Sequence, residues 1–154
     1  MTKSDSKEMA APKLSLKELE RLLRAEFPEM LHGKGGYAVE AVWQGGCRVR
    51  KRFDPQSLRP GGTLSGPTMM TLADFGIYVA ILATIGWLPL AATTSLNINF
   101  LKMPAPRDLL GEVRLIKVGR RLAVGEMDIR SEGDGKDDLV AHATATYSIP
   151  PHGR

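Results

Sequence analysis

Cysteine is nearly absent from this chain: Cys47 stands alone among 154 residues. A disulfide framework within one chain is thereby excluded, as are C-x-x-C metal and redox motifs. Histidine is scarce as well. His32, His142 and His152 show no metal-ligand spacing, so no metal is expected. The opening stretch "MTKSDSKEMAAPK" lacks the apolar core of a signal peptide. These absences fit a reducing, cytoplasmic setting, with residues 1–13 expected as a disordered leader. Charge is missing where its absence says most. Residues 64–86 read "LSGPTMMTLADFGIYVAILATIG" and carry one charge, Asp74, with no Lys, Arg or Glu beside it. The uncharged run after Asp74, "FGIYVAILATIGWL", ends at Pro89 and is shorter than the roughly 20 residues of a bilayer span. A carboxylate in hydrocarbon would also be costly. A buried core helix is expected there, and no membrane.

What is present reads as one domain over residues 14–154. Hydrophobic content of 43% and charged content of 25% are those of a soluble globular protein. The formal charge of +4 suits an anionic partner without saying which. Within "SLKELERLLRAEF", Ser15 and Glu18 have capping-box spacing, and Leu16, Leu19, Leu22, Leu23 and Phe27 recur at helical intervals, giving an amphipathic helix that ends near Pro28. "GYAVEAVWQGGCRVRKRF" reads as a hairpin turning at Gln44-Gly45-Gly46. Its second strand places Arg48, Arg50 and Arg52 on one face, as a solvated face or as an anion-binding or interface strip. "DPQSLRPGGTLSGP" is expected as a loop from its Pro and Gly content.

Strand signals fill the C-terminal half. "ATTSLNINFLK" alternates Leu96, Ile98 and Phe100 with polar residues. "DLLGEVRLIKVG", "RRLAVGEMDIRS" and "LVAHATATYSI" follow, separated by turn-rich segments. Helix, two strands, long helix and three or four strands make an α+β domain, with one buried helix against an antiparallel sheet. On the long helix, Ser65 or Gly66 suits the cap and Pro67 the first turn. A helix apolar on all sides is wrapped by protein, so Asp74 is partly desolvated and needs a hydrogen-bond or ionic partner. Position alone leaves two readings for Asp74: a structural carboxylate, or a catalytic one facing a cleft.

The run "SGPTMMTLADFG", followed by "SLNINFL…P" and "VGRRLAV" in that order, resembles the hotdog-fold acyl-CoA thioesterases, and most nearly their phenylacetate-pathway branch. The resemblance covers roughly residues 36–149. It implies an antiparallel sheet wrapped around one central helix. It also implies protomers paired edge to edge as a homodimer or dimer of dimers, with active sites between them. It places the catalytic carboxylate, general base or nucleophile, on Asp74. The helix-start glycine whose N–H polarises the thioester carbonyl falls on Gly66, as expected for the positive end of a helix. A water-orienting hydroxyl falls on Thr93. The chain departs from the family's pattern at Ser65, where a His is usual, at Pro67, where a second Gly is usual, and at Arg59, where an Asn or Gln positions water or substrate.

Gly66 and Asp74 are eight residues apart, about 12 Å along a helix axis at 1.5 Å per residue. One thioester carbon cannot meet both at about 3 Å, which agrees with a site assembled from two chains. If acyl-CoA is the substrate, its phosphates would draw on Lys102, Arg120 and Arg121, with Ser65 near the thioester. Coenzyme A then enters as part of the substrate, and no separate cofactor is required. Met69, Met70 and Trp87 are candidates for an acyl pocket as well as for the core. Other readings are a non-catalytic acyl-CoA-binding hotdog protein and a hotdog dehydratase, the latter disfavoured because no His lies in the long-helix region. Nucleic acid is not an expected partner: the arginine strand lacks aromatic interleaving.

Overall fold

A computed structural model of the chain describes residues 11–31 and 35–151. Of the expected leader, residues 1–10 lie outside the described residues, as do His32 and His152. Helix α1 (Leu16–Glu26) begins with the capping box read from the sequence. The Glu18 N–H donates to Ser15 Oγ at 3.2 Å, and the Glu18 carboxylate accepts in return from Ser15. Leu19 and Leu23 are its buried stripe. Phe27 closes α1, and Pro28 starts the four-residue helix α2 (Pro28–Leu31).

Strands β1 (Tyr37–Trp43) and β2 (Gly46–Lys51) form the first hairpin. Its turn is shorter than expected. Gln44 and Gly45 make it, with Gly45 at φ 88, and Gly46 already belongs to β2. Gly46 is small for another reason: a Cβ there would lie 2.3 Å from the Trp43 indole nitrogen. The arginine strip is divided. Arg50 is held by Glu40, Asp108 and Glu132 at 2.9–3.1 Å, while Arg52 lies past the end of β2. The expected loop also contains structure. One 3-10 turn, Pro55–Ser57, leads into the two-residue strands β3 (Leu58–Arg59) and β4 (Thr63–Leu64), which pair around Gly61-Gly62.

Helix α3 (Gly66–Ile85) follows, capped by Ser65. Strands β5 (Ala92–Phe100), β6 (Leu109–Val118), β7 (Leu122–Ser131) and β8 (Ala141–Ser148) complete the chain. The main sheet is antiparallel in the order β1-β2-β6-β7-β8-β5, and α3 touches each of its strands. This is the hotdog fold. At 20 residues α3 is long and apolar enough to cross a membrane, contrary to the shorter apolar run read from the sequence, yet most of it is buried in the protein. Leu72, Ile77, Val79, Ile81 and Leu82 are fully buried, each worth about 1.5–3 kcal/mol of transfer free energy. That packing, rather than surface pairing, holds α3 in the curl of the sheet.

Candidate active site

From Leu72 to Thr84, every residue of α3 except Asp74 and Tyr78 is buried, Phe75 and Thr84 less completely than the rest. Asp74 and Tyr78 are four residues apart and so share one helix face. That face opens on a cavity of about 380 Å³ roofed by α1 and α2. The lone carboxylate of the apolar helix is therefore a wall residue of a hollow.

Two strands deliver hydroxyls to it. In the pairing of β5 with β8, Thr93 stands opposite Tyr147, and a bulge follows between Thr93 and Ser95. Thr93 Oγ1 donates to Asp74 Oδ1 at 2.6 Å. The Tyr147 hydroxyl reaches the same oxygen and lies 2.8 Å from the Asp74 carbonyl oxygen. Burial first, and then the neighbouring Asp74 carboxylate, push the Tyr147 phenol up, so it keeps its proton and donates. Asp74 Oδ2 accepts no hydrogen bond from the described residues. One carboxylate oxygen is thus fixed by two donors, which offset its partial desolvation, and the other is open for chemistry.

Aromatic rings extend this arrangement. Tyr147 stacks on Tyr78 at 6.1 Å between centroids, and Phe27 meets Tyr78 edge-on, also at 6.1 Å. The Tyr78 hydroxyl donates to the Pro89 carbonyl at 3.0 Å, and burial, aided by the charge of Glu26, pushes its phenol up to about 12. Phe27, Phe75, Tyr78 and Tyr147 line the cavity, whereas Met69, Met70 and Trp87 do not. Met69 belongs to the core near the start of α3, Met70 is exposed, and Trp87 packs at the core's edge.

Gly66 is elsewhere. As the first residue of α3 it has an N–H with no partner four residues back. It lines a separate hollow of about 340 Å³ with Met69, Phe100, Lys102 and Met103. Ser65 is engaged as the cap: its Oγ accepts from Thr68 N at 3.3 Å and pairs with the Thr68 hydroxyl at 2.8 Å. Gly66 and Asp74 therefore do not converge within one chain, whereas Asp74 and Thr93 do. Arg59 is exposed on β3 and makes no ion pair among the described residues.

The expected phosphate-binding residues separate by environment. The Lys102 ammonium is held by Asp138 at 2.7 Å and Asp134 at 3.3 Å, and the Asp138 bond leads in raising its pKa. Arg120 and Arg121 are exposed at the turn between β6 and β7. Ala123, two residues past Arg121, is aligned through Tyr147 with Thr93. The two arginines thus lie at the Asp74 end of the sheet and Lys102 at the Gly66 end. Tyr147 and Tyr78 were not singled out from the sequence. The available signal was slight: Tyr147 and His142 are the only large side chains in the alternating Ala/Thr strand "AHATATYS", and they fall on opposite faces of it.

Residues 61–146 match the model of the thioesterase superfamily. A protein of Saccharolobus solfataricus named a candidate esterase is 31% identical over 138 residues, covering 90% of this chain and 87% of its own. The crystal structure of a candidate thioesterase from Silicibacter sp. TM1040 is 39% identical, with a TM-score of 0.82 over 94% of this chain and 97% of that one. A hypothetical thioesterase of Streptococcus pneumoniae TIGR4, solved with coenzyme A, is 20% identical, with a TM-score of 0.70 over 85% of this chain and 96% of that one; it shares the fold. The chain belongs to the thioesterase superfamily. Thioester hydrolysis is the general activity that this membership and its relatives' names support.

Proposed function

We propose that the protein hydrolyses acyl-CoA thioesters to free acid and coenzyme A, at sites shared by two copies of the chain. The observation that carries this reading is the Asp74 carboxylate, pinned through Oδ1 by Thr93 and Tyr147, with Oδ2 unpartnered among the described residues at an apolar cavity. As general base, Asp74 takes a proton from water, whose oxygen bonds to the thioester carbon. The oxyanion so formed meets the Gly66 N–H of the second copy. The C–S bond then breaks, and the sulfur leaves as the coenzyme A thiolate. As nucleophile, Asp74 instead forms an anhydride with the acyl group, which water cleaves. Coenzyme A bound to the pneumococcal protein of the same fold supports the choice of thioester carrier. The exposed guanidinium groups of Arg120 and Arg121 suit its phosphates.

The two-copy site draws support from an edge. Strand β5 borders the sheet, and Phe100, Leu101 and Met103 are 50%, 57% and 73% exposed at its end, beside Gly66. An unpaired edge with apolar side chains invites pairing with another copy, and a homodimer or dimer of dimers results. The test is turnover of an acyl-CoA panel followed by a thiol-reactive dye. Asp74→Asn keeps size and loses the base or nucleophile, so turnover should fall to a small residual rate while fold and oligomer persist. Wild-type kcat in that variant, or an active monomer by light scattering, would reject the assignment. Tight acyl-CoA binding with no turnover in the unaltered protein would make it a binding protein instead.

A further inference from the structure

The cavity beside Asp74 has two kinds of wall. One is the fold itself: α3, β5 and β8 bring Asp74, Thr93 and Tyr147. The other comes from the N-terminal segment, with Leu23 of α1, Phe27 at its end and Met30 of α2. Leu23 is fully buried and anchors the segment, as does the Leu14 N–H donating to the Ala83 carbonyl at 3.2 Å. Phe27 and Met30 are only partly buried, and each presents side chain to the hollow. From the carboxylate to that wall runs a row of rings, Tyr147 to Tyr78 to Phe27, in two steps of 6.1 Å. Among the described lining residues, Asp74 is the only Asp, Glu, Lys, Arg or His.

From this arrangement we infer that the cavity is the acyl subsite, that it takes uncharged apolar acyl groups, and that Phe27 and Met30 set their maximum length. The inference rests on the thioesterase reading above and adds the substrate class and the residues that limit it. An acyl chain whose carbonyl lies at Asp74 follows the ring row and stops against Phe27 and Met30. An acyl group ending in a carboxylate would instead share an apolar hollow with Asp74, and like charges in such surroundings repel strongly. Shortening either side chain at the wall removes the stop without touching Asp74, Thr93 or Tyr147.

The experiment uses two ligand series, from butanoyl to hexadecanoyl: acyl-CoA thioesters for turnover, and S-alkyl-CoA thioethers, which cannot be hydrolysed, for binding by calorimetry. Phe27→Ala and Met30→Ala are made separately, so that one remains informative if the other does not fold. The expected result is a length optimum in the wild type that moves to longer chains in each folded variant. The ratio of long-chain to short-chain kcat/KM, and the same ratio of affinities, should rise about tenfold or more, the usual scale for room gained or lost in an apolar pocket. Succinyl-CoA should be a far poorer substrate than butanoyl-CoA. A length profile that changes in neither variant, or succinyl-CoA as the preferred substrate, would overturn the inference while leaving thioester hydrolysis standing. Length-dependent thioether binding that shifts in the variants, without turnover of any thioester, would retain the subsite and reject the hydrolase reading.

Discussion

Tyr147→Phe removes one oxygen and leaves the ring, which is almost fully buried and stacked on Tyr78. Little packing is lost, so the effect isolates the hydroxyl. That hydroxyl has one proton and two acceptors within reach, the Asp74 carboxylate and the Asp74 peptide oxygen. It can serve only one fully at a time, so a single bond to a charged group is at stake, about 1.5–3 kcal/mol. Thr93 still holds Oδ1 at 2.6 Å, and the carboxylate is loosened rather than freed. If the lost energy is expressed in the transition state, kcat falls about ten- to a hundredfold, since about 1.4 kcal/mol is a factor of ten. KM should change little, because the hydroxyl orients Asp74 rather than the acyl group. Thermal unfolding should drop by about 2–4 °C for each kcal/mol taken from the folded state. The assay is coenzyme A release in a double-mutant cycle with Asp74→Asn. A hydroxyl that works through Asp74 has no further effect once the carboxylate is gone. Wild-type kcat/KM in Tyr147→Phe, or a further loss of the same size in the Asp74→Asn background, would refute the reasoning.

Gly66→Pro deletes the N–H proposed to face the oxyanion at a position where helices accept proline. Ser65 before it is already extended at φ −71, ψ 162, so the variant should fold and lose about a hundred- to a thousandfold in kcat; unchanged turnover in a folded protein would remove Gly66 from the site. Gly76→Ala should destabilise by about 1–3 kcal/mol through overpacking, because its Cβ would lie 2.1 Å from Met127 Cε and 2.9 Å from Val49 Cγ2. A urea midpoint equal to wild type would show that α3 can lift off the sheet at no cost. Replacing Arg120 and Arg121 by Gln should raise KM for acyl-CoA several-fold and flatten its salt dependence, while leaving turnover of an acyl-N-acetylcysteamine, which has no phosphate, unaffected. Equal effects on both substrates would assign the turn a structural role.

The element pattern was legible because local chemistry dictates it. The Ser15–Glu18 box, the alternation of the strands and the uninterrupted apolarity of α3 each need only neighbouring residues. The order of the strands is not local. Alternation tells which residues of β8 face inward, but not that β8 lies between β7 and β5. The segment 54–67 hid its short β3–β4 hairpin because strands of two residues leave no period to read. Gly45 and Gly46 looked like one turn, although one supplies a positive φ and the other clears the Trp43 ring.

The site follows the same division. A carboxylate in an uncharged segment is conspicuous in any reading, and Asp74 proved to lie on a stretch of the α3 surface that the fold leaves open to a hollow. Its second hydroxyl donor was invisible, since a tyrosine on an alternating strand has the pattern of a core residue. Tyr147 is indeed core by burial. Only the register that sets it opposite Thr93 turns its phenol toward Asp74. The converse holds for Lys102. Its charge is plain in the sequence, but the acids that engage it, Asp134 and Asp138, come from a turn more than thirty residues away. Scarcity of charge exposed the candidate carboxylate. Pairing, which depends on what the fold brings alongside, decides which hydroxyl holds that group and which cations stay exposed among the described residues.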